Sequence, residues 1–184
     1  MATTPKVLTY EEWLQMPEVH DGIEEVVNGK VRIMPPNRWV HTRVVQSIRR
    51  QLEYHLNPDL VYVVDSVFGL VIHRDPLTTR VPDIAVLIAA NIVEVDGYIH
   101  SAPELVVEVL SPANTKLERE QKIRDYESLG VPELWVVSPE ARTVEIMRLT
   151  ADRKLETVVI TNEGVIRPTL FPDTAVEIAH IWPR

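Results

Sequence analysis

The chain has no cysteine, which excludes disulfides, cysteine-ligated zinc and thiol nucleophiles. It has only 6 glycines and no glycine-rich loop that could cradle a phosphate, so nucleotide-binding folds are disfavoured. No two histidines stand four apart, the spacing that would aim both at one metal from a helix. Ser111 lacks a Gly-x-Ser-x-Gly elbow, so serine hydrolysis has little support. No window is apolar enough for a membrane span, and Met1-Ala2-Thr3-Thr4-Pro5-Lys6 lacks the apolar stretch of a secretory signal. The expectation is a soluble cytoplasmic protein with no membrane partner. Positive charge is also scarce. There are 19 Lys and Arg against 27 Asp and Glu, a net charge of −8. This counts against a sequence-independent nucleic-acid binder, whose footprint is normally basic. Two bound divalent cations would offset it locally, because ions in a site add their own charge. Arg43, Ser47 and Arg50 share one helix face, with Arg49 beside them. That stripe reads either as a solvated face or as a basic track.

What is present suits one globular domain. The 184 residues are 45% hydrophobic and 25% charged, without repeat or long linker. Thr9-Tyr10-Glu11-Glu12 reads as a capping box opening a short helix that Pro17 ends. Ile23 to Met34 reads as two strands around Asn28-Gly29, a strong hairpin signal. His41 to Leu56 is helical by period, with Val44, Val45, Ile48, Leu52 and Leu56 in one stripe. Leu60 to Val64 and Val67 to Ile72 are β-rich. Val81 to Ala89 and Glu104 to Leu110 are the most apolar runs, hence candidate central strands. Asn114 to Leu129 reads as a helix, polar on most faces, with Gly130 at its C-terminal cap. Glu133 to Val137 is a further strand, and Thr143 to Leu149 with Leu155 to Ile160 forms a hairpin pattern. The tail from Pro168 has strand-like and helix-like pieces without a clear order. The expected class is α/β or α+β.

Two acids interrupt the apolar runs: Asp83 in Val81-Pro82-Asp83-Ile84, and Glu108 in Val106-Val107-Glu108-Val109. A carboxylate in such a run must be paired, hydrogen-bonded or metal-bound, because burying an isolated charge is costly. The two are 25 positions apart (108 − 83), so only the fold can bring them together, as adjacent strands of one sheet would. Side by side they repel unless a cation lies between. Hard oxygen ligands without cysteine or paired histidine suit Mg²⁺ or Mn²⁺ rather than zinc. Lys122 follows, with Glu118, Lys122 and Tyr126 on one helix face. Lys122 either forms an exposed ion pair with Glu118 or points back at the two acids.

The ordered set of Pro82-Asp83, Glu108-Val109-Leu110-Ser111-Pro112, Lys122 with Tyr126, and Gly130-Val131-Pro132-Glu133-Leu134-Trp135-Val136-Val137 resembles the Uma-type restriction endonucleases, members of the PD-(D/E)XK nuclease superfamily. Glu25 to Val31 resembles that family's Glu-xxx-Gly hairpin, and His41 the histidine opening its long helix. The resemblance runs from about Thr9 to Met147. It implies a restriction-endonuclease-like core, a mixed β-sheet flanked by helices with an N-terminal β-hairpin. It also implies a Mg²⁺-dependent DNA endonuclease in which Mn²⁺ could substitute. Asp83 and Glu108 would hold the metal with the Val109 carbonyl. Lys122 would orient or activate the water, and Glu25, His41 and Tyr126 would support them. The superfamily's usual lysine position, two after the second acid, is here Leu110; the resemblance to the family implies that the following helix supplies the lysine, as Lys122. Glu118 and Ser138 stand where aspartate is more usual in the family, and Leu134 where tyrosine is.

Two other functions fit the same residues: a nuclease-fold module that binds nucleic acid or a partner without cutting, and a metal-dependent hydrolase of small phosphate esters. A homodimer is expected on the ground that paired cuts need two sites. His20, Asp21 and His73 are expected at solvent-facing turns, and His55 and His100 have no evident partner. The tryptophans at 13, 39, 135 and 182 are expected to pack or sit at interfaces rather than stack on bases.

Overall fold

A computed structural model describes residues 7–17, 22–66 and 68–183. In chain order the elements are α1 (Tyr10–Trp13), β1 (Ile23–Val27), β2 (Lys30–Met34), α2 (Trp39–His55), β3 (Val61–Asp65), β4 (Leu70–Arg74), β5 (Leu77–Arg80), β6 (Ile84–Ile88), β7 (Glu94–Val95), β8 (Tyr98–Ile99), β9 (Leu105–Val109), α3 (Lys116–Leu129), β10 (Glu133–Ser138), β11 (Thr143–Leu149), β12 (Leu155–Thr161), β13 (Val165–Ile166) and β14 (Val176–Glu177). Six strands form the central sheet in the order β12-β11-β10-β9-β6-β3. Its one parallel pair is β9 with β10. These strands are joined through α3, the crossover that a parallel connection requires. The other neighbours are antiparallel. The sheet is therefore mixed, and the two most apolar runs lie inside it as expected.

Each face of the sheet is covered. Alternate residues of β9, Leu105, Val107 and Val109, join Val44, Ile48 and Leu52 of α2, and Ile178, Ile181 and Trp182 from the tail close the same cluster. The opposite face carries Val106 with Tyr126, Leu134, Val136 and Leu70, beneath α3 and β4. Glu108 shares its alternation with Val106, so its side chain belongs to the α3 face.

The N-terminal hairpin is docked onto β5. Val26 N–H donates to Thr79 Oγ1 at 2.9 Å, and Gly29 N–H donates to the Leu77 carbonyl at 2.8 Å. Asn28 and Gly29 both have positive φ (50° and 70°), the turn that suits a two-residue hairpin. A Cβ at Gly29 would lie 2.2 Å from Val7 Cγ1, so the turn admits glycine on steric grounds as well.

The expected capping box of α1 is present, with Thr9 and Glu12 exchanging bonds. The α2 stripe is buried at Val44, Val45, Ile48 and Leu52. The third helix begins two residues later than expected. Thr115 is its N-cap and forms a second capping box with Glu118, while Gly130 closes it at φ 93°. Strand β5 has no counterpart in the sequence reading. Its four residues Leu77, Thr78, Thr79 and Arg80 are all buried, and polar side chains concealed the pattern. His20, Asp21 and Val67 lie outside the described residues.

Candidate active site

The register of the central sheet brings the two acids together. Ile84 of β6 pairs with Val107 of β9 in antiparallel fashion. One further rung sets Asp83 opposite Glu108, so adjacent strands close the 25-residue separation. The backbone cements this junction, because Val109 N–H donates to Asp83 Oδ2 at 2.8 Å. His41, in the first turn of α2, reaches the same oxygen through Nε2 at 3.1 Å. Asp83 Oδ1 has no hydrogen bond among the described residues.

Helix α3 supplies the cation. Lys122 Nζ donates to Glu108 Oε2 at 2.8 Å and lies 3.3 Å from Glu25 Oε1. Tyr126, one turn later, donates its hydroxyl to Glu108 Oε1 at 2.5 Å. Of the two sequence readings of Lys122, the structure therefore shows the one turned toward the acids. Glu118 instead caps its own helix and approaches Arg32 of β2 at 3.8 Å. Leu134 packs in the α3-side core, and Ser138 accepts the Ala141 N–H in a turn.

Behind these groups lies a buried network that sequence reasoning missed. Arg80, its side chain 3% exposed, donates from NH1 to Glu25 Oε2 at 2.6 Å. It also donates from Nε and NH2 to Asp125 Oδ2 at 2.8 and 2.6 Å. It thus ties the hairpin to α3 at the residue three after Lys122. The available signals were a lone arginine closing a β-rich run and an aspartate beside Tyr126. Neither reveals its partner without the fold.

Glu25, His41, Asp83, Glu108, Val109 and Lys122 all line one cleft of about 1240 Å³ including its open mouth. Pro35, Pro36, Asn37 and Arg38 form one lip, and Ser111 to Asn114 form another. A smaller space of about 400 Å³ continues behind Glu108 and Lys122, among Leu110, Ile123, Leu134 and Val136. Leu110 therefore packs against aliphatic neighbours where the superfamily usually places lysine.

The electrostatics follow from burial and neighbours. Burial raises the Glu108 carboxyl above its ordinary range. Lys122 opposes this, while the charges of Asp83 and Glu25 add to it. Burial also disfavours the Lys122 ammonium, but Glu108, Glu25 and Asp83 together outweigh it and hold the group above its ordinary value. Tyr126 is pushed well up by burial and then by the charge of Glu108. For His41, burial works against protonation, but the bond to Asp83 prevails and the net shift is upward.

Among the described residues, no group of three or more His, Cys, Asp or Glu side chains is arranged to hold a metal ion. The donor chemistry nevertheless fits a hard divalent cation with two side-chain ligands. Glu25, Asp83, Glu108 and Asp125 bring four formal negative charges, and Arg80 and Lys122 bring two positive ones. The excess of two is one divalent cation's worth, in a place where uncompensated charge is expensive.

Other residues stand apart from the cleft. His73 is exposed and meets Ser128 Oγ at 3.1 Å. His100 does have a partner, the Tyr10 hydroxyl at 3.2 Å, because β8 returns it to α1. His55 is exposed at the end of α2, with its ring edge-on to Tyr54. Trp13, Trp135 and Trp182 pack as expected, each indole N–H donating to an acceptor. Trp39 does not. It is 73% exposed, since as the first residue of α2 it has no preceding turn to cover it.

No helix among the described residues is long and apolar enough to cross a membrane. Among solved structures, the chain resembles one titled as a "putative nuclease belonging to DUF820" from Anabaena variabilis ATCC 29413, with a TM-score of 0.78 and 21% identity. The likeness covers 95% of this chain and 97% of that one, and it establishes the shared fold. No curated protein matches significantly. The family described as "Putative restriction endonuclease" (Uma2) matches residues 10–179. With nearly its whole length matched, the chain belongs to that restriction endonuclease family.

Proposed function

We propose that the protein is a Mg²⁺- or Mn²⁺-dependent DNA endonuclease that hydrolyses phosphodiester bonds in the cleft between the hairpin and α3. The observation that carries this reading is the convergence of Asp83, Glu108 and Lys122 in one cleft, in a chain of a restriction endonuclease family. Asp83 and Glu108 would hold the ion, with the Val109 carbonyl as a third oxygen. When bound, such an ion lowers the pKa of a coordinated water and neutralises charge developing on the phosphate.

The chain's own groups divide the remaining work. Lys122 stays protonated at neutral pH while Glu108 and Glu25 face it, so it acts as a cation. It orients the attacking water and stabilises the pentacoordinate phosphate. Glu25, with one oxygen on Arg80 and the other facing Val81 N–H and Lys122, positions the lysine. Tyr126 fixes the rotamer of Glu108 through its 2.5 Å bond. His41 does the same for Asp83, sharing Oδ2 with the Val109 amide and leaving Oδ1 for the ion.

The test is nicking of supercoiled plasmid with Mn²⁺, Mg²⁺ or EDTA, comparing wild type with Asp83→Ala and Lys122→Ala. Metal-dependent nicking lost in both variants is the expected result; undiminished cleavage by either sinks the assignment. A second reading, a module that binds without cutting, draws on Glu108, whose two oxygens are both engaged by Lys122 and Tyr126. It predicts no carboxylate-dependent Mn²⁺ binding in a titration of the wild type.

A further inference from the structure

The cleft carries a formal excess of negative charge, so a polyanion entering it needs a landing place elsewhere. Helix α2 offers one. Trp39, Arg43, Ser47 and Arg50 fall at i, i+4, i+8 and i+11 and therefore share a face, the one turned away from the core stripe of Val44, Ile48 and Leu52. Arg43 and Arg50 form no ion pair among the described residues. Arg49, just off this face, is consumed by Glu53 at 2.7 Å and Asp65 at 2.8 Å. The stripe begins at the cleft itself, because Arg38, also without a carboxylate partner among the described residues, forms part of its lip.

The first turn of α2, which follows Arg38 of that lip, is built like a place for a nucleotide. Trp39 presents an indole that is 73% exposed, beside Val40 at 47%. Its ring N–H has no acceptor among the described residues, whereas the other three indoles are satisfied. The helix has no acidic residue in its first turn and no side-chain cap. Its first intrahelical bond, Thr42 N–H to the Arg38 carbonyl, leaves the amides of Trp39, Val40 and His41 open to an anion. His41 lines the same cleft and is 94% buried (6% exposed), and its Nδ1 has no hydrogen-bond partner among the described residues.

We propose that the Trp39–Arg43–Ser47–Arg50 face of α2, entered over Arg38, is a track for a single-stranded segment of nucleic acid: Trp39 stacks on an unpaired base and the arginines take the backbone phosphates. Rested on the nuclease reading of the cleft, this makes the strand beside the scissile bond unpaired. Stacking selects single strands, because only an unpaired base offers its face to a side chain.

The experiment uses the full chain in EDTA, so that binding occurs without cutting. The probes are an oligothymidylate and a blunt hairpin duplex, read by intrinsic fluorescence and by anisotropy of labelled DNA across a salt series. Trp39 is the one exposed indole among the four, so oligothymidylate should quench the accessible emission, and Trp39→Leu should abolish that quenching and weaken binding roughly tenfold. Arg43→Gln with Arg50→Gln should lower the slope of log K against log salt by about 1.4, two single-strand phosphates' worth. Trp39→Leu should leave that slope unchanged. Circular dichroism checks folding, which matters most for Arg43, half-buried where Trp39 and Arg50 are exposed. Binding that is indifferent to all three substitutions, tighter binding of the duplex, or no binding to either probe overturns the proposal. Stripe-dependent binding without plasmid nicking would leave the track standing and remove the nuclease reading. Nicking without stripe dependence would do the reverse.

Discussion

Replacing Arg80 with methionine leaves Asp125 without a paired cation among the described residues and leaves Glu25 with Lys122 alone, at 3.3 Å. The side chain is 3% exposed, and its partners Glu25 and Asp125 are 2% and 6% exposed. Solvent therefore cannot take over the lost pairing. Removing one partner of a buried ion pair typically costs about 3–5 kcal/mol, because the remaining charge stays buried and uncompensated. In a chain of this length each kcal/mol moves Tm by about 2–4 °C, so a fall of roughly 6–20 °C is expected. Urea denaturation at pH 7, followed by tryptophan fluorescence, measures the free energy directly. Two controls separate electrostatics from packing. Acidification should narrow the gap, because protonating a carboxylate left without its cation relieves the uncompensated charge. Arg80→Met combined with Glu25→Gln and Asp125→Asn should recover much of the loss, since a fully neutral network has no charge to compensate. A loss below about 1 kcal/mol, or one that neither acid nor neutral partners relieve, would refute the reasoning.

Tyr126→Phe deletes the donor to Glu108 Oε1 in a fully buried setting, so a loss of about 1.5–3 kcal/mol is expected in urea denaturation, together with slower plasmid nicking. Mn²⁺ at a hundredfold excess over its Kd should stabilise the fold by about 2.7 kcal/mol, or roughly 5–11 °C in Tm, with Asp83→Asn abolishing the shift; an equal shift in that variant places the ion elsewhere. Thr115→Ala should cost about 1 kcal/mol by removing the α3 cap. The Thr115 backbone bond holds Glu118 below its ordinary range, so this carboxylate stabilises above its unfolded value and the benefit is lost as pH falls through the depressed folded one. Urea midpoints at neutral and acid pH should therefore differ less in Glu118→Gln than in the wild type.

Much of this protein was decided within short stretches of sequence. Thr9-Tyr10-Glu11-Glu12, Asn28-Gly29 and Gly130 specify local backbone geometry through caps and turns, which need no distant partner. The α2 stripe and the two apolar strands were legible because burial imposes a period on the chain. The identities of Asp83, Glu108 and Lys122 also stood out, since a charge in or beside an apolar run needs a reason. Their meeting was not legible. It depends on the β6–β9 register and on α3 crossing that face of the sheet, and both are long-range pairings that no local pattern encodes. The same holds for Arg80, whose strand is polar in sequence and buried only because the hairpin and α3 close over it. Trp39 shows the converse. It was expected to pack or to sit at an interface, and its place at the first turn of α2 leaves it exposed, next to Arg38 on the lip of the cleft.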